Sequence, residues 1–463
     1  MGVHRRGLVA GVAAAGIRAA FASAAPPRRP DIVVILADDM RTSDWRALPK
    51  TRRRLRDAAF YPNFFFNTPL CDPSRAAFLT GQYGHNNGVL WNMRDGPDST
   101  YSVYRRNGLA RRSIPYVLRK AGYRTGLFGK FLNSGQTIGN RPAGWDRWVS
   151  TPVIDYDIYP LDIEGKLVMF RKGDYLTDVL GEFAREFVLE TPAEQPLFLL
   201  FGSNAPHTGP GNSPPVPAPR HRSAFPGAAM ARTPAFNEAD VSDKSSYVRT
   251  MLPMQPEAIA YGDRLERSRL QSLLSLDEAI VSLVDTLEET GRLESTSIFI
   301  ASDNGFQMGE HRLMDQKAVP YDGSLRVPML AWGPRFRRGT SSRLVANVDL
   351  APTIAELAGV RMPWADGASM LSGRPRREVL SQFSPWDPWP VRGWGLHTAR
   401  YSYFEYAAGE REYFDMRSDP LQLTNLLPPA GVAAPPRAGD LPDPAALSAR
   451  LAALKGCRGA TCR

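Results

Sequence analysis

Cysteine is scarce, with three in 463 residues, at positions 71, 457 and 462. So few exclude a fold built on a disulfide framework. No stretch beyond the N-terminus reaches the ~18 consecutive apolar residues of a membrane span. There is no internal repeat, and with 43% hydrophobic residues the chain lacks the low hydrophobicity of a disordered protein. A sizeable core is expected instead. Charge of one sign is mildly short: 47 acidic residues against 57 Lys and Arg leave a net charge of +10. The arginines are scattered, without a basic block, stacking aromatics or a zinc pattern, so nucleic acid is not an expected partner. An Arg-rich surface explains the balance first, and attraction for an anionic substrate second.

The N-terminus reads as an export signal. His4-Arg5-Arg6 is a basic start, Gly7 to Ile17 a mildly apolar stretch, and Ala22-Ser23-Ala24 a small-residue cleavage site. Paired Arg5-Arg6 suits a twin-arginine route, giving an exported protein, secreted or in the cell envelope. In that setting Cys457 and Cys462 could close a small loop; in a reducing one they would stay free thiols.

After the Pro-rich break at 25–30 comes Asp31-Ile32-Val33-Val34-Ile35-Leu36, a continuous apolar run that predicts a strand buried on both faces. Similar runs occur at Arg124–Phe128, Leu197–Phe201 and Ser297–Ile300. Between the last two, Leu273, Leu276, Ile280, Leu283, Val284 and Leu287 predict a helix over Arg269–Glu289, with Gly291 as its stop. Strands alternating with helices predict a doubly wound α/β domain with a mostly parallel sheet covered by helices. Residues 211–256 read as irregular, Pro-rich loop. From about 378, the short aromatic runs at 401–404 and 412–415 predict a small antiparallel sheet. The expected organisation is 1–29 signal and linker, 30–375 catalytic α/β domain, 376–430 small C-terminal subdomain, and 431–463 a Pro/Ala-rich tail with little core of its own.

In open α/β sheets, ligands bind beyond the carboxyl ends of the strands. The residues that follow the four predicted strands are Asp38-Asp39, Gly129-Lys130, Asn204 with His207, and Asp303-Asn304-Gly305. Three carboxylates and an amide oxygen make a hard oxygen set, suited to Ca²⁺ or Mg²⁺ and poor for zinc. Each Asp pair alone would pass for a polar turn; together at one sheet edge they point to a site. Residues 71–81, Cys-Asp-Pro-Ser-Arg-Ala-Ala-Phe-Leu-Thr-Gly, add a cysteine and Arg75 just where Pro73-Ser74 predicts a helix start.

Cys71, Pro73, Arg75 and Thr80-Gly81 resemble the modification signature of the type I, formylglycine-dependent sulfatases. Asp38-Asp39, Gly129-Lys130, Asn204 to His207, Asp303-Asn304-Gly305, and Lys317 through Arg326-Val327-Pro328 follow in that family's order. Tyr413-Phe414-Asp415 to Asp419-Pro420 and Asn425-Leu426 resemble its C-terminal signature. Gly129 to Asn133, Asp174 to Leu180, Leu273 to Asp277 and Asn347 to Thr353 look like the branch of N-acetylglucosamine-6-sulfatase and the extracellular heparan endosulfatases.

The resemblance implies an alkaline-phosphatase-like fold and a sulfuric ester hydrolase acting on a sulfated carbohydrate, with 6-O-sulfated N-acetylglucosamine units as the branch's substrate. It implies conversion of Cys71 to formylglycine by a formylglycine-generating enzyme, with Asp38, Asp39, Asp303, Asn304 and the converted Cys71 as the ligands of one Ca²⁺. Arg75 would steady the hydrated aldehyde, and Lys130, His207 and Lys317 would hold sulfate and the leaving oxygen. The implied cycle passes through a covalent sulfo-enzyme. His311 would shape the loop after Gly309-Glu310. Two positions depart from the common pattern. Leu132 stands where many sulfatases have a histidine, with Asn133 beside it, and Asp72 is an unusual filler after the cysteine. Trp386, Trp389 and Trp394 either stack on sugar or fill the joint between domains.

The rival readings are an arylsulfatase of broad specificity, a phosphate or phosphonate ester hydrolase of the same superfamily, and a silent glycan-binding protein. Six histidines, none beside the Asp pairs, supply a two-zinc phosphatase poorly. A silent protein would be expected to lack the nucleophile or the metal ligands, and both are present.

Overall fold

The apolar run at the start of the folded chain becomes strand β1, Asp31–Ala37, and every residue in it is buried. The structure is a computed structural model that describes residues 1, 29–94, 96–133, 137–171, 173–383 and 391–463. The export signal, with Arg5-Arg6, and Trp386 and Trp389 lie outside the described residues.

β1 sits inside a ten-stranded sheet with β2 (Ala59–Tyr61), β3 (Arg124–Gly129), β4 (Arg147–Ser150), β5 (Tyr159–Ile163), β6 (Lys166–Phe170), β7 (Leu197–Gly202), β8 (Thr296–Ser302), β9 (Met329–Trp332) and β10 (Gly339–Thr340). The order is β10-β2-β9-β8-β1-β7-β3-β4-β5-β6. The central five strands, β8-β1-β7-β3-β4, are all parallel. They carry the continuous apolar runs that two covered faces require. The antiparallel strands β9, β5 and β6 extend the sheet on either side.

Helices α1 (Cys71–Thr80), α2 (Leu176–Glu190), α3 (Pro256–Glu289) and α4 (Leu350–Leu357) pack on this sheet and on one another. Helix α3 has the expected end, with Gly291 at φ 67, but it starts at Pro256 rather than near 269. Its first turns hold Glu257, Asp263, Arg264, Glu266 and Arg267, so no apolar stripe marks them in the sequence. Pro at the first helical position provides a start that hydrophobic periodicity does not show.

The C-terminal sheet is antiparallel, with β11 (Val379–Phe383), β12 (Gly393–His397), β13 (Tyr401–Tyr406) and β14 (Arg411–Asp415) in sequential order. The segment past 431, expected as a tail with little core, contains helix α5 (Pro444–Leu454). Its Leu447, Leu451 and Leu454 are buried in the core of the C-terminal lobe. Their i, i+4, i+7 spacing is a helical stripe hidden among alanines. Cys457 and Cys462 are joined as a disulfide just beyond it. Trp394 is half-buried, its ring 5.5 Å from that of His85, which places it in the joint between the lobes. Among the described residues, no helix is long and apolar enough to cross a membrane.

One buried group in this lobe gives a pH prediction. His397 lies between Ser381 Oγ, 2.7 Å from Nε2, and Ser402 Oγ, 2.9 Å from Nδ1, and burial pushes its pKa from 6.5 down to about 3. The unfolded chain takes up this proton near the ordinary value while the folded one stays neutral. Stability is therefore lost as pH falls through the window between the two values, by about 2 kcal/mol from this group at pH 5. Urea unfolding at pH 7 and pH 5 should show His397→Asn losing less stability than the parent on acidification. Parallel losses would contradict this.

Candidate active site

The site is assembled by register. Ala37 pairs with Ser302, and Leu36 and Gly129 both face Gly202, so strands β8, β1, β7 and β3 end level with one another. The next residues in the chain, Asp303, Asp38, Ser203 and Lys130, therefore emerge side by side. The two glycines set the spacing of β3 and β7. A Cβ on Gly129 would meet Gly202 O at 2.1 Å, and one on Gly202 would meet Lys130 O at 2.3 Å. That close approach lets Lys130 N donate to Gly202 O at 2.7 Å and fixes where the lysine leaves the sheet.

Helix α1 delivers the cysteine. It begins at Cys71, is buried throughout, and stops at Gly81 in the left-handed conformation, φ 68. Cys71 thus lies at the positive end of the helix dipole. Its Sγ donates to Asp38 Oδ1 at 3.4 Å and accepts from Lys317 Nζ at 3.0 Å. One turn on, Arg75 Nε donates to Asp303 Oδ2 at 2.9 Å and its Nη1 to Lys130 O at 2.7 Å. Lys317 arrives from the loop after the short strand Met314–Gln316 and donates to Asp39 Oδ1 at 2.6 Å. Lys130 Nζ donates to Asp38 Oδ2. Asn304 Nδ2 donates to Asp39 Oδ1 at 2.6 Å, and Asp39 N to Asp303 Oδ1 at 3.1 Å.

His207 completes the ring. Its Nδ1–H donates to Thr208 O at 2.7 Å, so Nε2, 3.5 Å from Asp39 Oδ2, faces the site. The nine residues expected at the site, Asp38, Asp39, Cys71, Arg75, Lys130, His207, Asp303, Asn304 and Lys317, are thereby joined in one network. Asp38, Asp39, Cys71 and His207 also offer ligand atoms within 4.8 Å of one another. Buried Arg75 Nη2 and Asn304 Oδ1 have no hydrogen-bond partner among the described residues.

The electrostatics divide the site into anionic and cationic halves. Burial disfavours charge on Asp38, yet Lys130 first, then His207 and Arg75, hold its carboxyl well below the usual carboxylate range. Burial works against Asp39 in the same way, and Lys317 and His207 hold it low. Asp303 goes the other way: burial, then the charge of Asp38, push it up to about 6. Lys130 and Lys317 are raised, despite burial, chiefly by Asp38 and Asp39 respectively, so both ammonium groups stay charged across neutral pH. Burial, with Asp38 alongside, drives the Cys71 thiol far above its ordinary value. An unmodified Cys71 is thus a neutral thiol, poorly suited to attack.

The two departures from the common pattern take structural roles. Leu132 is buried in the main core. Asp72 Oδ1 accepts from Asn133 N at 2.7 Å, and Asp72 N donates to Asn92 Oδ1 at 2.9 Å, tying the start of α1 to the loop after β3. His311 is outside the network: its Nδ1 meets Glu238 Oε2 at 2.6 Å, and its ring lies 4.4 Å from that of Tyr321. It shapes the loop.

Arg269 is the supporting residue that the sequence did not reveal. It projects from α3 with no exposure, donates through Nη2 to Asp39 O and, at 3.0 Å, to Asp44 Oδ2, and through Nη1 to Pro206 O at 3.2 Å. One guanidinium thereby binds the Asp39 turn to the loop carrying His207. Asp39 itself has φ 69, a conformation that needs such support. Arg269→Met keeps most of the volume but removes the donors to two carbonyls and the ionic partner of Asp44, whose buried carboxylate keeps, among the described residues, only the hydrogen bonds from Arg41 N and Ser43 Oγ. We expect a loss of about 3 kcal/mol in urea unfolding and at least about tenfold in turnover from displaced site residues. Unchanged turnover would remove Arg269 from the site's support.

A cysteine at a buried helix start, ringed by paired carboxylates and fixed cations at the carboxyl edge of a parallel sheet, defines a hydrolase of anionic esters in an α/β frame. The sulfatase family pattern matches residues 30–360, and the C-terminal pattern of N-sulphoglucosamine sulphohydrolase matches residues 309–433. The chain belongs to the sulfatase family, the sulfuric ester hydrolases. It is 31% identical over 514 residues to an arylsulfatase of Volvox carteri, covering 96% of this chain and 77% of that one. It is 34% identical over 360 residues to N-acetylglucosamine-6-sulfatase of Capra hircus, covering 74% of this chain and 63% of the goat protein. The chain thus spans less than two-thirds of that relative's length. A solved structure in complex with its substrate D-glucosamine-2-N,6-O-disulfate superposes with a TM-score of 0.72 at 24% identity, covering 86% of this chain and 93% of the other, and shares the fold.

Proposed function

We propose that this protein releases inorganic sulfate from 6-O-sulfated N-acetylglucosamine units of a carbohydrate, using Cys71 after its oxidation to formylglycine by a formylglycine-generating enzyme. The observation that carries this reading is the setting of Cys71. Its thiol is neutral and buried, yet it is wedged between Asp38 and Lys317 at the focus of every charged group in the site. The similarity to the goat N-acetylglucosamine-6-sulfatase supports the sugar.

The residues present suit a calcium ion. Asp38, Asp39, Asp303 and Asn304 all offer oxygen, Asn304 Oδ1 is buried without a partner among the described residues, and Asp303 is pushed up to about 6 by burial and Asp38. A hard divalent cation relieves both conditions, and a set of carboxylates with an amide oxygen favours Ca²⁺ over Mg²⁺. These four residues would hold it. Bound there, the cation supplies charge neutralisation beside residue 71, where formylglycine supplies the hydroxyl of a hydrated aldehyde as nucleophile.

The chain's own groups do the rest. Arg75, anchored on Asp303, holds its guanidinium against the helix turn that carries residue 71. Lys317 and Lys130 present fixed ammonium groups to the sulfate oxygens, balancing charge that a weakly electrophilic sulfur centre carries into its transition state. His207 Nε2 faces the same point, and because Nδ1–H is committed to Thr208 O the ring must take up a proton at Nε2 before it can donate to the departing alcohol oxygen. Export is part of the reading, supported by the Arg5-Arg6 signal and by the Cys457–Cys462 disulfide, which suits an oxidising compartment.

The test is sulfate release by the matured protein from a 6-O-sulfated N-acetylglucosamine oligosaccharide, an aryl sulfate and a phosphonate diester at equal concentration. The sugar sulfate should have the highest kcat/KM, by about 10²-fold or more. A higher value for the aryl sulfate would support the broad arylsulfatase reading, and one for the phosphonate would replace the sulfatase reading altogether.

A further inference from the structure

A second anionic ligand site lies away from Cys71, in a cleft of about 1170 Å³ between the segment at 367–378 and helix α5. Tyr83 and Pro352 contribute to it beside the C-terminal end of α1, so the cleft and Cys71 occupy opposite ends of that helix. Ten residues put them about 15 Å apart along its axis. The cleft is therefore not an extension of the catalytic network.

Its lining is unusually rich in arginine. Arg376 is held by Asp349 and by Tyr83 Oη, and Arg450 Nε donates to Glu378 Oε1 at 2.5 Å. These two are neutralised and fixed. Arg374 and Arg377 are exposed on the same wall, and neither guanidinium has a hydrogen-bonding or ionic partner among the described residues. Gly367, Ala368 and Ser369 line the space with small side chains.

We infer that this cleft binds a sulfated segment of a carbohydrate chain, with Arg374 and Arg377 reaching its sulfate groups. Three features select that ligand. Guanidinium groups match the oxygens of sulfate in paired hydrogen bonds. The volume exceeds that of an ordinary small-molecule pocket and suits several sugar rings in a row. Among the described residues no exposed aromatic side chain lines the cleft, which disfavours the base stacking on which single-stranded nucleic acid depends. The inference rests on the sulfated-carbohydrate reading and adds to it that the substrate is polymeric. A chain held here is retained between cleavage events at the distant site, which raises the effective concentration of its remaining sulfates.

The probe is a fluorescein-labelled heparin octasaccharide stripped of its 6-O-sulfates, followed by anisotropy in a salt series without any turnover. Because it lacks the ester proposed for cleavage, failure of the 6-O assignment leaves this measurement unaffected. Arg374→Ala/Arg377→Ala should bind it about tenfold more weakly than the parent at low salt, with a shallower salt dependence. Its unfolding midpoint should match the parent's, since neither side chain supports another. Equal affinity for parent and double variant would overturn the inference. A single-stranded DNA of matched charge that binds as tightly, and is lost equally in the variant, would also overturn it in favour of a general polyanion surface.

Discussion

Cys71→Ala should lose sulfate release by about 10⁴-fold or more, with almost no change in fold. The fold should hold because Cys71 has no exposure, stands at the first helical position, and gives up one sulfur atom, a cost of about 1 kcal/mol. Activity should collapse because no other group can replace it. Ser74 Oγ is committed to Asp303 O and Asn347 Nδ2, and Asp38 to Lys130. Cys71→Ser is the sharper control. It places a hydroxyl in the same pocket, against Asp38 and Lys317, but His207, with Nε2 3.5 Å from Asp39 Oδ2, makes no hydrogen bond to residue 71, so the pair lacks Ser-His activation. A serine variant with near-parental turnover would mean that a plain hydroxyl suffices and that oxidation of Cys71 is unnecessary.

The second large effect is expected from Asp303→Ala, and it should appear in three measurements. Asp303 is a proposed calcium ligand, so bound Ca²⁺ by elemental analysis should fall from about one per chain to near zero. Among the described residues its Oδ2 is the only ionic partner of Arg75, whose side chain is 2% exposed, and its Oδ1 accepts from Asp39 N. Removing the carboxylate leaves a buried guanidinium unpaired, a cost of about 3–5 kcal/mol in unfolding. Sulfate release should drop by about 10³-fold or more, because ion, arginine and the Asp39 turn are all disturbed. Arg75→Met/Asp303→Ala separates these causes. Removing both charges should restore much of the stability while calcium binding and activity stay lost. If the double variant retained bound Ca²⁺, Asp303 would not be a ligand.

The parts of this fold that can be read from the sequence are those in which one strand carries its own signal. Ile32 to Leu36 are apolar without interruption because both faces of β1 are covered, and the residues after each such run fall at the site edge by the geometry of parallel sheets. The sheet's margins give no such signal. β6, Lys166–Phe170, is exposed along nearly its whole length, and β2 and β9 are three or four residues long and are defined by partners far away in the chain. The first half of α3 is polar because that part of the helix faces its neighbours through charged side chains such as Glu266, which binds Arg41 and Arg46. Arg269 carries no mark that distinguishes it from Arg264 or Arg267. Only the fold shows that its guanidinium lies under the Asp39 turn. The disulfide was open for a similar reason: Cys457 and Cys462 are close in sequence in any state, and their pairing depends on α5 seating them against the loop at His85.

The nine site residues could be read because each follows a recognisable strand or lies in a dense motif. Their network could not be read, since Lys317 reaches Cys71 across 246 positions of sequence and Asp39 meets Asp303 across 264. What register adds is a reason for their convergence. The Gly129–Gly202 contact and the level ends of four strands place the ligands before any side chain is chosen.

The most direct test joins chemistry to modification in one sample series. The protein is expressed with graded amounts of a formylglycine-generating enzyme, the mass of the peptide containing residue 71 gives the converted fraction, and sulfate release from the 6-O-sulfated N-acetylglucosamine oligosaccharide is measured on each sample. Turnover should rise in proportion to the converted fraction and extrapolate to zero where Cys71 remains a thiol. Turnover that is independent of conversion would contradict the central role given to Cys71.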